Sequence, residues 1–408
     1  MHEADGGRSH LARNRGEVLR AFLKLGLTSF GGPIAHLGYF RDELVTRRQW
    51  MSESAYADLV ALCQFLPGPA SSQVGFALGL SKGGFMGALI AWSAFTLPSV
   101  LLLLVFAHSA FVFGHPLGQG FVHGLKLVAV AVVAQAVWGM ARNLCPDRGR
   151  AGIAIIAVLI AVFLPGAPGQ LGAIFFGAMG GLWLCKKLPL MDDEGNDDRI
   201  SIPLSKQKAL LALLCFFILL FALPLVAVIS SSQAIALFEA FYRAGALVFG
   251  GGHVVLPLLE ASVVETGWVS ADMFLAGYGA AQAVPGPLFT FAAYLGAIVV
   301  PEPNGIYGAA ICLIAIFLPG MLLLVGVLPF WDDLRKKNRV RAAMAGANAA
   351  VVGVLAAALY HPVWTSAVLA PPDFAVALAA FILLTVWKVS PWKVVLLTAF
   401  AGAGLSLA

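Results

Sequence analysis

Charged residues are scarce in this sequence. Asp, Glu, Lys and Arg make up 12% of its 408 residues, about half of the ~25% carried by a soluble globular domain. With 60% hydrophobic residues and a mean hydropathy of +0.88, the chain cannot cover a water-facing surface. The net charge of +5 is small and lies in loops, so it offers nucleic acid nothing to bind. Cysteine is sparse as well. Cys63, Cys145, Cys185, Cys215 and Cys312 are scattered, with no C-x-x-C and no clustered histidine, so neither a disulfide framework nor a metal centre is indicated. H-E-x-x-H, P-loop, G-x-S-x-G and paired carboxylates at a set spacing are all missing, which argues against an enzyme and against an ATP-driven pump, and calls for no cofactor. The polar, basic N-terminus lacks the apolar stretch of a cleavable signal.

Apolar runs fill the sequence instead. Residues 99–107, 152–165 and 209–229 approach or reach the ~20 residues that span a ~30 Å hydrocarbon core. The class that follows is an all-α polytopic membrane protein set in a lipid bilayer.

The chain also repeats itself. Phe30-Gly31-Gly32 returns as Phe249-Gly250-Gly251, 219 residues on (249 − 30), and Gln64-Phe65-Leu66-Pro67-Gly68-Pro69 returns as Gln282-Ala283-Val284-Pro285-Gly286-Pro287, 218 on (282 − 64). Trp50 and Trp268 keep that register, and the Pro98 and Pro319 neighbourhoods match within three residues of it. Matches held in register mark two homologous halves. The expected organisation is a first repeat over 1–185, a charged linker with an extra transmembrane helix over 186–230, and a second repeat over 231–408.

Lys and Arg gather at the N-terminus, at Arg41/Arg47/Arg48, at Arg142/Arg148/Arg150, in the 186–208 linker, at 335–341 and at Lys388/Lys393. The other connections lack them, including the acidic 259–272 stretch. Positive loops stay cytoplasmic. One topology satisfies every loop: the segments near 17–40, 55–81, 236–259 and 272–299 enter and leave on one side as re-entrant hairpins. Four crossings per half and one linker helix complete it. The odd linker helix turns the second half upside down. The N-terminus is then cytoplasmic and the C-terminus extracytoplasmic. The alternative is four kinked spans, since Gly and Pro are tolerated in membrane helices.

Inverted repeats with matching helix breaks point to a transporter's binding site near the midplane. The helix that restarts after each break aims free N–H groups and a positive dipole end at the tip, and glycine lets a ligand approach the backbone. Gly31, Gly32, Gly68, Gly250, Gly251 and Gly286 are therefore candidate contacts for an anion. So are the hydroxyls that follow each Pro-Gly-Pro, Ser71 and Ser72 in one half and Thr290 in the other. Gln64 and Gln282, three residues before each Pro-Gly-Pro, add possible donors. The competing reading is close glycine packing between helices.

Charges inside apolar segments are functional suspects. Lys24 and Arg243 stand at equivalent places, each six residues before its break, and suit a dianion on a pseudo-two-fold axis; the alternative is that they snorkel to the surface. Lys126 near a helix end is a third cation, matched by Asn348. Asp58, Glu239 and Glu260 are acidic candidates for ion coupling, although Glu239 is placed to pair with Arg243 at i,i+4. His36 and His253 flank the glycine breaks and are candidate proton carriers.

The segments "FLKLGLTSFGGPIAHLGYFRDELV", "DLVALCQFLPGPASSQVGFALG", "FGGGHVVLPLLE" and "QAVPGPLFTFAAYLG" closely resemble the chromate ion transporter family in its long-chain, two-domain form. The likeness spans about residues 17–400. It implies a bacterial or archaeal inner-membrane protein that exports chromate, driven by ion gradients, and confers chromate resistance. By it Phe30, Gly31, Gly32, Pro33, Pro67, Gly68 and Pro69, with Phe249 through Gly252 and Pro285, Gly286 and Pro287, are the motif positions. Sulfate or another oxyanion, or an uncoupled channel, would suit the same tips. Proton coupling and a dimer are both compatible with the sequence.

Overall fold

The computed structural model describes residues 2–109, 116–185, 202, 204–249, 252–300, 302–334 and 336–407. Among them there is no strand, and eighteen helices follow one another. In the first half these are α1 (His2–Thr28), α2 (Gly32–Phe40), α3 (Glu53–Phe65), α4 (Ala70–Ser109), α5 (Pro116–Leu144), α6 (Arg148–Phe163) and α7 (Ala167–Leu184). α8 (Lys206–Ile229) joins the halves. The second half comprises α9 (Gln233–Ala246), α10 (Val255–Val263), α11 (Ala271–Ala281), α12 (Phe291–Ile298), α13 (Gly305–Val327), α14 (Trp331–Leu334), α15 (Asn338–Ala358), α16 (Thr365–Ala367), α17 (Pro371–Thr385) and α18 (Pro391–Leu405).

The broken segments are hairpins. α1 stops at Thr28, the chain turns through Gly31 and Gly32 at φ 99° and 80°, and α2 restarts with Pro33 in its first turn. A proline there gives up an N–H that had no partner anyway. α2 then loosens into a π-helical turn, Arg41–Arg47. The second hairpin runs down α3, turns at Pro67-Gly68-Pro69, and returns along α4 as far as Gly84, where φ 66°, ψ −164° breaks the helix. Beyond Gly84, α4 continues as a crossing helix. The second half repeats this with α9 and α10, then α11 and α12, leading into α13.

The halves share one packing rule. α1 crosses α4 at Gly26, where a Cβ would lie 2.6 Å from the Ala94 carbonyl; α9 crosses α13 at Gly245, against the Ile316 carbonyl. Gly26 and Gly245 are 219 apart, so the repeat register of the sequence is also the contact register of the fold.

The two pairs of hairpins open at opposite ends of the bundle. The first mouth joins Arg15 to the Gly83 carbonyl, Arg48 and Trp50 to Glu17, and Asp58 to Trp331. At the other end the 264–270 loop sits over Gly166, and Asp272 reaches Lys126 of α5. The chain is a polytopic membrane protein with two inverted halves. Among the described residues, five helices are long and apolar enough to cross a membrane: Ala70–Ser109, Gly118–Leu144, Lys206–Ile229, Gly305–Leu334 and Asn338–Ala367. α6, α17 and α18 have 16, 15 and 15 residues, short of a full span at 1.5 Å per residue, and α7 has 18. Large apolar side chains nevertheless cover their outer faces, Phe163, Trp183 and Phe400 among them.

Candidate functional site

The four turns converge at the centre, tied by two backbone hydrogen bonds. The Gly68 N–H donates to the Val248 carbonyl at 2.8 Å, and the Gly286 N–H donates to the Ser29 carbonyl at 2.8 Å. Gly68 and Gly286 are repeat partners, as are Ser29 and Val248. Each Pro-Gly-Pro turn is therefore completed by the glycine turn of the opposite half. Backbone groups left unpaired at membrane depth would cost several kcal/mol each, so this exchange is what lets four broken helices meet in one place. Pro33 against Gly252 brings the remaining two turns into contact.

The turn carbonyls are finished by side chains, and here the halves differ. Ser99 of α4 donates to the Pro285 carbonyl. Its repeat partner is Gly320, which has no hydroxyl, and Gln73 takes over. Its Nε2 donates to Pro67 O at 3.1 Å and to Gly320 O at 2.9 Å.

Around this junction lies a set of buried polar atoms without a partner inside the protein: Ser29 Oγ, His36 Nε2, Ser72 Oγ, Gln73 Oε1, Thr96 Oγ1 and Gln282 Nε2. His36 is 1% exposed; its Nδ1 lies 3.4 Å from Ser71 Oγ and its ring stands edge-on to Phe95. In α4 the first intrahelical bond at this end is Gln73 N–H to Pro69 O. The N–H groups of Ala70, Ser71 and Ser72 are thus left facing the turn, as at any helix N-terminus. Native proteins leave few buried polar atoms unpaired, and six around one junction of helix breaks is the composition of a polar ligand site.

The candidate residues fall into three groups. Gly68, Ser71, Ser72, Gln282 and Gly286 come together at the junction, and Gly31 and Gly32 form the adjoining turn. Thr290 is buried there too, but its Oγ1 donates locally to the Pro287 carbonyl at 2.8 Å, and the helix behind it begins as a 3-10 turn. Gly250 and Gly251 lie outside the described residues. Gln64 is exposed.

Lys24 and Arg243 stand apart from the junction and are already paired. Lys24 Nζ lies 2.6 Å from Glu43 Oε2, in the first mouth; Arg243 pairs with Glu239 at 2.7 Å, the i,i+4 arrangement. Glu43 also takes Arg47 at 3.1 Å and Arg48 at 2.8 Å. Burial opposes ionisation of its carboxyl, yet the hydrogen bonds from Lys24, Arg48 and Arg47 outweigh that and hold it down to about 2. The other acidic and imidazole candidates are also occupied in part. Asp58 accepts from Trp331 Nε1, and His253 Nδ1 is 2.7 Å from the Tyr278 hydroxyl. Glu260 stands on α10, beside the second mouth.

Ser29, Gln73, Thr96 and Ser99 escaped the sequence reading. Thr96 and Ser99 bracket Pro98 in a crossing helix, and a hydroxyl pair beside an intramembrane proline was the available signal.

The family profile described as "Chromate transporter" matches residues 16–183 and again 235–403, the same register of 219 (235 − 16). The chain is 30% identical over 361 residues to the probable chromate transport protein of Synechococcus elongatus, covering 86% of this chain and 85% of that one. It is 28% identical to the chromate transport protein of Pseudomonas aeruginosa, over 84% of this chain and 79% of that one. The corresponding protein of Cupriavidus metallidurans is 27% identical over 84% and 81%. No solved structure matches. With both halves matched in one register, the chain belongs to the chromate transporter family.

Proposed function

We propose that this protein is a secondary transporter that exports chromate from the cytoplasm across the inner membrane, driven by the membrane's ion gradients, and so confers chromate resistance. The observation that carries this reading is the junction of four helix breaks, with its unpaired Ser72 hydroxyl and His36 Nε2 beside the α4 N-terminus. A tetrahedral dianion needs several donors arranged around it and little else. The N–H groups of Ser71 and Ser72, their hydroxyls and Gln282 Nε2 supply neutral donors, and His36 adds one that a proton can charge. Lys24 and Arg243, each sharing a carboxylate, flank the two approaches instead of holding the ion.

The two mouths differ in charge. Arg15, Lys24, Arg41, Arg47, Arg48 and Lys82 surround the first, against Glu17, Asp42, Glu43, Glu53 and Asp58. Glu260, Glu265, Asp272 and Asp373 crowd the second, against the single lysine Lys126. Cations at a mouth raise the local concentration of anions by steering. With the first mouth in the cytoplasm, chromate is gathered on the side it leaves from.

Two measurements test this. In a cysteine-free background, a cysteine replacing exposed Glu265 should react with an impermeant thiol reagent in intact cells, and one replacing Arg47 only after permeabilisation. Labelling of both from one side sinks the orientation. In proteoliposomes, an imposed pH step should drive chromate uphill, with sulfate as competitor. Movement only down the chromate gradient would mark a passive facilitator instead.

A further inference from the structure

Away from the junction, a cavity of about 740 Å³ opens at the second mouth. Its walls are Gln119, His123 and Lys126 of α5, Asp272 of α11, Asp373 of α17 and Ser406 beyond α18. Its charged groups form two pairs. His123 Nε2 lies 2.8 Å from Asp373 Oδ1, and Lys126 Nζ lies 2.8 Å from Asp272 Oδ1.

The pairs are built differently. Asp373 is fully committed, because its second oxygen also accepts from the Leu369 and Ala370 N–H groups, each at 3.0 Å. Among the described residues, Asp272 pairs with the lysine alone. The Lys126 side chain is 9% exposed and the Asp272 side chain 66%. A buried ammonium cannot lose its partner without a replacement. An exposed carboxylate can return to water at little cost. The bond can therefore open from one side only: Asp272 leaves, and something anionic must take its place on Lys126.

We propose that Lys126 anchors a second oxyanion site on the exit side, and that Asp272 is a built-in competitor occupying it between turnovers. The ligand class, a tetrahedral dianion, rests on the chromate reading above. Gln119 and Ser406 add neutral donors on the same wall, and His123, three residues before Lys126, is paired with Asp373. Asp272 also stands in the first turn of α11, whose other end leads into the Pro285-Gly286-Pro287 turn. Gly279 of α11 packs directly on the Leu125 carbonyl of α5. An anion that displaces Asp272 thus releases the outer end of the arm that carries the central turn.

Sulfate is the probe, titrated calorimetrically into purified full-length protein carrying Ser71→Ala and Ser72→Ala, so that the central site is weakened. Asp272→Asn should tighten sulfate binding at least tenfold, and Lys126→Gln should weaken it at least tenfold. A purely structural bridge predicts the same sign for both substitutions, or no change, and either result overturns the proposal. Glu265→Gln, at the same mouth, controls for the general field; a gain equal to that of Asp272→Asn also overturns it. If Lys126→Gln does not accumulate, the exposed Asp272→Asn variant decides alone. Failure of the transport reading shows separately, as wild-type protein that moves no chromate while the opposite signs persist.

Discussion

Replacing both Ser71 and Ser72 with alanine should weaken chromate binding by roughly a hundred- to ten-thousand-fold. In the proposed site each hydroxyl would donate to a charged oxygen, and such bonds contribute about 1.5–3 kcal/mol apiece. Two of them total about 3–6 kcal/mol, at 1.4 kcal/mol per tenfold. The fold should tolerate the change. Alanine is the best helix former, both positions are buried in the first turn of α4, and Ser72 Oγ has no partner inside the protein to lose. Membrane abundance and the detergent-solubilised elution profile should therefore match the wild type while export disappears. Thr290→Ala serves as contrast: its hydroxyl is given to Pro287, so its loss should cost far less. Wild-type affinity in the double variant would remove the α4 N-terminus from the site.

The second large effect is expected at Gly286. It holds φ 98°, a conformation that costs an L-residue about 1–3 kcal/mol. An added Cβ would also fall on Ser99 Oγ and stand 3.1 Å from the Phe95 carbonyl. Gly286→Ala should accordingly lower the melting temperature in detergent sharply and abolish transport, because the displaced turn breaks the Gly286–Ser29 bond. Adding Ser99→Ala clears the hydroxyl and should recover part of the thermal stability, though not all, since the backbone strain remains. If the single variant melts like the wild type, the turns are not locked together as described.

The class and the repeat could be read without coordinates because they rest on periodicities: apolar runs of spanning length, and a register near 219 shared by Phe30-Gly31-Gly32 and Pro67-Gly68-Pro69 with their partners. The hairpins were legible as one of two readings, since same-side return reconciles Arg41–Arg48 with the basic linker while kinked spans were the alternative. The Arg243–Glu239 pair was legible for a local reason, four residues on one helix. Lys24 was not legible in the same way. Its partner Glu43 lies beyond a turn whose angle no local pattern specifies. Gln73 reaching Gly320, and Ser99 reaching Pro285, join residues 247 and 186 positions apart. Such contacts depend on how the halves interlock, and the Gln73 bond compensates for the hydroxyl that Gly320 lacks.

The exchanged bonds of Gly68 with Val248 and of Gly286 with Ser29 have a consequence for biogenesis. The ribosome finishes the first half well before the second exists, and until then Gly68 N–H lacks Val248 and Ser29 C=O lacks Gly286. The early half cannot reach its final form alone. Both turns close only once the second half is in place. A chain severed in the 186–205 linker would face the same requirement as two separate polypeptides. It would regain its turns only where both pieces, threaded in opposite senses, met in one membrane.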